Sequence, residues 1–288
     1  MYRKAIEQVK IGVYLYGLAT VAFGILDLIW GQFERSHQPI QSLVEHIPGR
    51  QFLAYIAAGW MIAAGLAILW RRSARMGAAA SAIIYSIFVA CWLLRFYNAI
   101  HAAGWRLNIV FSFLFSISQA VFLIVPAVIV YVSTANDDLV SEERTAIAAR
   151  WMLGLPPIFF GLAHLIGIRV FATIVPQWLP FGTAWAALTG IAFLLAGIAI
   201  CLGKLDVLAA RLLALMLLVF EFLVEIPPVF VRLHSQETWG AAVYNVAAIG
   251  ALWIFAEFVS RRQADSRKAG HAEHRAIARP IESLASGS

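Results

Sequence analysis

Several ionisable residues lie inside, or at the ends of, long apolar stretches of this sequence. A charged side chain in such a stretch is costly, so each one is a candidate for ligand binding or proton transfer. Most of them fall close to one end of their stretch. The candidates are Asp27, Arg95, His164, Glu221 and Glu225.

Glu221 and Glu225 are one helical turn apart and would share one face of a helix. Two carboxylates so close together in an apolar setting cannot both stay charged at low cost. Either one of them is neutral, or a cation such as Arg95 balances them. Glu221 lies one turn deeper than Glu225, so solvation at the membrane surface explains it less easily.

Two histidines, His101 and His234, lie in predicted loops, and each precedes a tryptophan by a few residues. Loop histidines are ordinarily solvated, but their recurrence keeps them as binding candidates. A metal site from the candidate histidines and carboxylates would be possible, but these candidates do not have the His-Glu-x-x-His, His-x-x-Glu-His or Glu-x-x-His spacing of such a site. We therefore predict no metal site and, since haem and iron–sulfur ligation patterns are also absent, no intrinsic cofactor.

The composition points to lipid as the solvent for most of the chain. The sequence is 61% apolar and 13% charged, with a mean hydropathy of +0.79. Soluble proteins average about 45–50% apolar and about 25% charged residues. The net charge of +6 does not predict nucleic-acid binding, because the basic residues lie at the ends of apolar stretches rather than in one patch.

The elements that carry the candidate residues are predicted transmembrane helices. One helix needs about 20 apolar residues to cross the bilayer core. We predict an all-α, polytopic membrane helix bundle of about eight transmembrane helices. The predicted spans are residues 11–30, 52–70, 75–94, 106–132, 151–168, 184–202, 206–226 and 239–258.

The 22 lysines and arginines are concentrated on the side that carries both termini. Cytoplasmic loops of membrane proteins are enriched in Lys and Arg. Both termini are therefore predicted to be cytoplasmic, with the chain in the inner (plasma) membrane of a bacterium. In that orientation Asp27, Arg95, His164 and Glu225 all lie at the periplasmic ends of their helices.

The chain contains two copies of one pattern. Residues 23–29 match residues 160–166, and residues 64–68 match residues 196–200 in the same order. Each copy has an even number of spans, so the copies are predicted to be parallel four-helix repeats. The predicted organisation is a first repeat over 1–133, a cytoplasmic linker over 134–149, a second repeat over 150–259 and a mobile basic cytoplasmic tail over 260–288.

Asp27 and His164 occupy equivalent positions in the two repeats. One interpretation is an acid–base or ligand-binding pair where the repeats meet. The other is that each residue is a helix-end polar group reaching water or lipid head groups. The sequence leaves both interpretations open.

The second repeat carries a pattern of small residues, prolines and tryptophans that has a weaker counterpart in Phe23-Gly24 and Ala64-Gly65. The pattern in the second repeat consists of Phe160-Gly-Leu-Ala-His-Leu165, Val175-Pro-Gln-Trp-Leu-Pro180, Trp185, Thr189-Gly190, Ala196-Gly197, Ile226-Pro227 and Trp239. This pattern resembles the DoxX-like family of bacterial membrane proteins, closely in the second repeat and loosely in the first.

The resemblance implies a four-helix membrane unit and a link to quinone. Members of the family are associated with respiratory sulfur oxidation, as membrane subunits passing electrons towards quinone, and with oxidoreductase assemblies that counter oxidative stress. The resemblance therefore implies quinone as the cofactor class and a soluble or membrane redox partner. Family members often carry a histidine where this chain has Glu225, so a role for that histidine does not transfer directly.

Three functions remain open from the sequence. The first is a membrane subunit of a redox-linked, quinone-associated complex, or a small-molecule binder, with a polar site on the periplasmic side. Such a protein would be at most a non-catalytic or electron-accepting subunit of an oxidoreductase. The second is a proton-coupled transporter, which would need intramembrane carboxylates. The third is a non-catalytic assembly or chaperone subunit.

Overall fold

A computed structural model of the chain describes residues 10–34, 36–44, 47–135 and 139–285. Within those residues every regular element is a helix, and eight helices are long and apolar enough to cross a membrane. The predicted fold class, an all-α membrane helix bundle, is therefore confirmed. The long helices are α1 (Lys10–Trp30), α3 (Arg50–Leu69), α4 (Ala74–Ala103), α5 (Leu107–Thr134), α6 (Leu139–Ile166), α8 (Gly182–Leu202), α9 (Asp206–Phe220) and α11 (Gln236–Ala285).

Three short helices and one π-helical turn complete the description of the bundle. The short helices are α2 (Ile40–Leu43), α7 (Ile168–Ala172) and α10 (Ile226–Val231). The π-helical turn, Glu221–Glu225, joins α9 to α10. Helix α9, the π-helical turn and α10 together form the seventh membrane-crossing segment, Asp206–Val231.

Two segments are more helical than the sequence analysis predicts. Helix α6 begins at Leu139, so most of the predicted linker over 134–149 belongs to it. Helix α11 continues to Ala285 and therefore runs through most of the predicted tail over 260–288. Hydropathy locates the end of an apolar stretch, whereas Ala, Arg, Glu, Gln and Lys propagate a helix beyond it.

The two halves of the bundle use the same order of packing. Helix α1 packs on α3, α3 on α4 and α4 on α5, and in the second half α6 packs on α8, α8 on α9 and α9 on α11. Contacts of α11 with α1, and of α5 with α6, join the halves. This is the arrangement that two parallel four-helix repeats require.

The ends of α1, α6 and α10 and the start of α11 lie at one face of the bundle, which we call the loop face. The Gln236 side chain, in the first turn of α11, donates a hydrogen bond of 3.0 Å to the carbonyl oxygen of Gln32, just beyond α1. The loop face carries residues 31–34, 167–181 and 232–235. We call the opposite face, where α1 begins, the terminal face.

Glycines bring α1 against α3 and α6 against α8. A Cβ atom added to Gly65 would lie 2.6 Å from the backbone oxygen of Gly17. A Cβ atom added to Gly197 would lie 2.6 Å from the backbone oxygen of Gly154. Small residues allow such close backbone approach between helices in lipid. Because these glycines are related by the internal repeat, the same contact is built twice.

A buried ion pair holds the second half together at the terminal face. The Arg150 Nε atom of α6 donates to Asp206 Oδ2 of α9 at 2.8 Å, and Gln263 of α11 donates to Asp206 Oδ1 at 3.1 Å. The Asp206 Oδ1 atom also accepts a hydrogen bond from the backbone N–H of Val207. Three helices thus meet on one buried carboxylate at this face.

We expect Gly161→Ala to destabilise the protein, because its Cβ atom would lie 2.6 Å from the backbone oxygen of Gly190. Helices α6 and α8 would have to separate, at a cost of about 1–3 kcal/mol. Thermal unfolding in detergent measures the loss. The matched control is Gly59→Ala, since an added Cβ at Gly59 meets no atom within 4 Å. Equal melting temperatures for the two variants would contradict the packing role of Gly161.

Candidate functional site

A cavity of about 630 Å³ lies in the second half of the bundle, enclosed by α5, α6, α8, α9 and α11. Ligand sites typically measure about 300–1,000 Å³ and are lined mostly by apolar and aromatic residues. This cavity has the same character, with Phe115, Phe160 and Phe193 in its wall. Residues of α7 and of the segment that follows it form its roof at the loop face.

A few polar side chains interrupt the apolar wall of the cavity. Sparse polar groups in an apolar pocket orient a ligand and select among ligands. Two of the sequence candidates, His164 and Glu225, belong to this set. The polar residues in the wall are His37, Gln119, His164, Thr189, Glu225 and Asn245.

Glu225 reaches the cavity from the π-helical turn. The backbone N–H of Ile226 bonds to the carbonyl of Glu221, five residues earlier, which widens the helix by one residue. Pro227 and Pro228 follow directly, and a proline ring clashes with the carbonyl four residues before it. The carbonyls four residues before these prolines, at Leu223 and Val224, lie inside the π-helical turn. Single π-turns of this kind occur frequently at functional sites.

Glu221 is buried behind the cavity wall and contacts an amide rather than a cation. The Asn245 Nδ2 atom donates to Glu221 Oε2 at 3.0 Å and to the carbonyl oxygen of Leu217 at 2.8 Å. The Arg95 guanidinium lies over the Trp92 ring, 4.6 Å from its centroid. In the part of the chain that the structure describes, no ion pair joins Arg95 to either carboxyl group.

His164 lies in the cavity wall near the roof. Its Nδ1 atom is 2.7 Å from the carbonyl oxygen of Phe160, and its ring stacks on the Phe171 ring at 3.8 Å between centroids. A carbonyl oxygen can only accept a hydrogen bond, so Nδ1 carries the hydrogen. The other ring nitrogen, Nε2, is therefore the atom that remains for a ligand.

Asp27 is fully buried and lies in a separate environment from His164. Its Oδ1 atom accepts hydrogen bonds from the backbone N–H of Glu34, at 3.2 Å, and from Gln236 Nε2, at 3.4 Å. Among the described residues no hydrogen bond or ion pair joins Asp27 to His164. Asp27 and His164, although equivalent in the repeat, therefore have different neighbours. The structure does not bring this predicted pair into contact.

The loop after α1 supplies two functional candidates that the sequence analysis passes over. Glu34 is fully buried, and its Oε2 atom accepts hydrogen bonds from both the backbone N–H and the ring Nδ1 of His37, each at 2.8 Å. Its Oε1 atom accepts from the N–H of Ser36 at 2.9 Å. The pair does have Glu-x-x-His spacing, but it lies outside the apolar stretches.

His37 carries this loop into the wall of the cavity. Its ring stacks on Tyr244 of α11, with centroids 4.5 Å apart and an angle of 15° between the planes. His37 and Glu225 both line the cavity. Because Nδ1 donates to the Glu34 carboxylate, Nε2 is the ring atom that remains for a partner in the cavity. A carboxylate that orients a histidine in this way also sets its tautomer.

The remaining sequence candidates lie away from the cavity. His101 and His234 are exposed, and the His101 ring packs beside Tyr97 at 4.2 Å between centroids. Neither histidine lines the cavity, and Arg95 does not line it either. Across the described ranges, no group of three or more His, Cys, Asp or Glu side chains is placed to hold a metal ion.

Comparison with known proteins identifies one related family model. The model, described as "Domain of unknown function (DUF8561)", matches residues 153–247. The matched residues begin in α6 and end in α11, so they include most of the cavity wall. No curated protein and no solved structure matches the chain.

The buried Glu34 makes a testable contribution to stability. Burial by itself would raise its pKa, but His37 and the N–H groups of Ser36 and His37 outweigh that effect and hold the pKa of Glu34 below its ordinary value. The folded state therefore favours the charged carboxylate. Its stabilising contribution is present above the ordinary pKa of a glutamate and is lost as the pH falls through the folded-state pKa.

We expect Glu34→Gln to lower the stability at neutral pH by about 1–3 kcal/mol, the value of hydrogen bonds to a charged group. The difference from the wild type should shrink as the pH falls from the ordinary pKa of a glutamate through the lower folded-state pKa of Glu34, because the wild-type carboxylate then becomes protonated. Thermal unfolding across pH measures both effects. Glu237→Gln, at an exposed position of the same face, is the control. A constant difference at every pH would rule out the ionised Glu34.

Proposed function

We propose that this protein binds a lipophilic small molecule of the quinone class in the cavity among α5, α6, α8, α9 and α11. The observation that carries the proposal is the cavity itself, which measures about 630 Å³ and combines apolar walls with a few polar side chains. A quinone has a flat ring, which packs against aromatic side chains. It also has carbonyl oxygens, which need hydrogen-bond partners. The site offers both kinds of contact.

The polar contacts come from three elements that converge on the cavity. His164 of α6 and His37 of the loop after α1 each use Nδ1 internally, which leaves Nε2 for the ligand. Glu225 of the π-helical turn supplies a carboxyl group to the same cavity wall. Imidazole and carboxyl groups exchange protons readily, so the site suits a ligand whose oxygens change protonation state.

The resemblance to the DoxX-like family supports a quinone-associated role. The chain carries no ligation pattern for haem or iron–sulfur clusters, so electrons would come from a redox partner, and the protein would be the membrane subunit of a redox-linked complex. By the positive-inside rule the loop face is periplasmic, and both termini are cytoplasmic, in a bacterial inner membrane.

A proton-coupled transporter is the second candidate. The buried carboxyl groups of Asp27 and Glu221 favour it, because proton coupling requires such groups within the membrane. Both of these carboxyl groups lie in the half of the bundle next to the loop face. Proton flux in liposomes that Glu221→Gln abolishes would favour transport over binding.

We expect the purified protein in nanodiscs to bind a decyl-tailed benzoquinone saturably and His164→Phe to weaken that binding about tenfold or more. Losing one hydrogen bond of about 1.4 kcal/mol corresponds to a factor of ten. The phenylalanine keeps a ring that can stack on Phe171, so the change removes mainly the nitrogen atoms. Equilibrium titration with the radiolabelled quinone measures the affinity.

His234→Phe is the matched control, because His234 is exposed and lies outside the cavity. Its affinity should equal that of the wild type. Absence of saturable binding to the wild type would overturn the proposed function. Equal affinities of His164→Phe and His234→Phe would instead remove His164 from the site.

A further inference from the structure

The ionisable residues of the cavity wall lie at one end of the cavity. His37, His164 and Glu225 lie at the end next to the loop face, where α6 and α10 end. Leu213 and Met216 of α9 line the opposite, deeper end. Twelve residues separate Leu213 from Glu225, which is about 18 Å along a helix. That length is more than half of the hydrocarbon core of about 30 Å.

The roof separates the cavity from the water at the loop face with apolar side chains. Phe171 belongs to α7, and Ile174 and Leu179 belong to the segment that follows. The Trp185 Nε1 atom of α8 donates to the carbonyl oxygen of Pro180 at 3.0 Å and ties this segment to the helix below it. A ligand arriving from water would have to cross this apolar layer.

The cavity also reaches the side of the bundle between α8 and α9. Leu188 of α8 and Val219 of α9 both line it, and 57% and 46% of these residues are exposed. The turn that joins α8 to α9 lies at the terminal face, where Gly203 and Leu205 have positive φ angles. Among the residues that the structure describes, no such turn joins the two helices at the loop face, where His164 and Glu225 lie.

We propose that the ligand is a single-chain amphiphile that enters sideways from the bilayer leaflet at the loop face, between Leu188 and Val219. Its chain lies along α9 toward the bilayer centre, and its polar head meets His37, His164 and Glu225. The volume fits one drug-sized ligand, so one chain with a compact head group fills it. This inference rests on the proposed function and adds the entry route and the orientation of the ligand.

The test narrows the opening between the helices and follows association in nanodiscs. Leu188→Trp and Val219→Trp should each slow association of the decyl-tailed benzoquinone about tenfold, by stopped-flow measurement. Leu195→Trp is the matched control, since Leu195 is 63% exposed on α8 and lies outside the cavity wall. It should associate at the wild-type rate. Leu188→Ala, which widens the opening, should associate at least as fast as the wild type.

The outcomes separate this inference from the proposed function. Wild-type association rates in both Leu188→Trp and Val219→Trp, with binding intact, would overturn the lateral entry alone. No binding to the wild type would overturn the proposed function as well. The nanodisc supplies two-chain phospholipid in large excess. Saturable binding of the quinone against this excess would support a single-chain ligand. Phospholipid that remains bound to the detergent-purified protein in a one-to-one ratio, measured by mass spectrometry, and that the quinone does not displace would overturn it.

Discussion

Close backbone contact between helices is the interaction on which the rest of this structure depends. Lipid provides no hydrophobic driving force between helices, so close packing at small residues must supply the attraction. Gly17 against Gly65, and Gly154 against Gly197, lock one helix pair in each half. Since α6 and α8 are held together in this way, the space in the second half remains on their other side, toward α9 and α11.

The two halves share a packing order but differ in what fills the space beside the locked pair. Phe23 lines a cavity of about 10 Å³ in the first half, and the equivalent Phe160 lines the cavity of about 630 Å³ in the second. The loop after α1 folds inward and fills the first space with His37 and Gln38. The corresponding segment after α6 lies over the second space as a roof. A repeated scaffold thus yields one filled site and one open site.

The buried carboxyl groups are expensive, and their partners explain how the fold tolerates them. Glu34 accepts three hydrogen bonds from the turn that follows it. Asp27 and Glu221 rely on the amide side chains of Gln236 and Asn245. Amides satisfy a buried carboxyl group whether it is charged or neutral. Asp27 and Glu221 can therefore keep an amide partner in either protonation state, which a salt bridge would not allow.

The sequence by itself determined the number of membrane-crossing helices, because their length and apolar content are local properties set by the thickness of the bilayer. It also identified His164 and Glu225, since an ionisable residue in an apolar stretch is visible without a fold. Only the tertiary structure decided that Glu34 and His37 enter the bundle and that Arg95 turns away toward Trp92. A loop looks solvated in sequence, and its burial depends on contacts with α11, about 200 residues further along the chain.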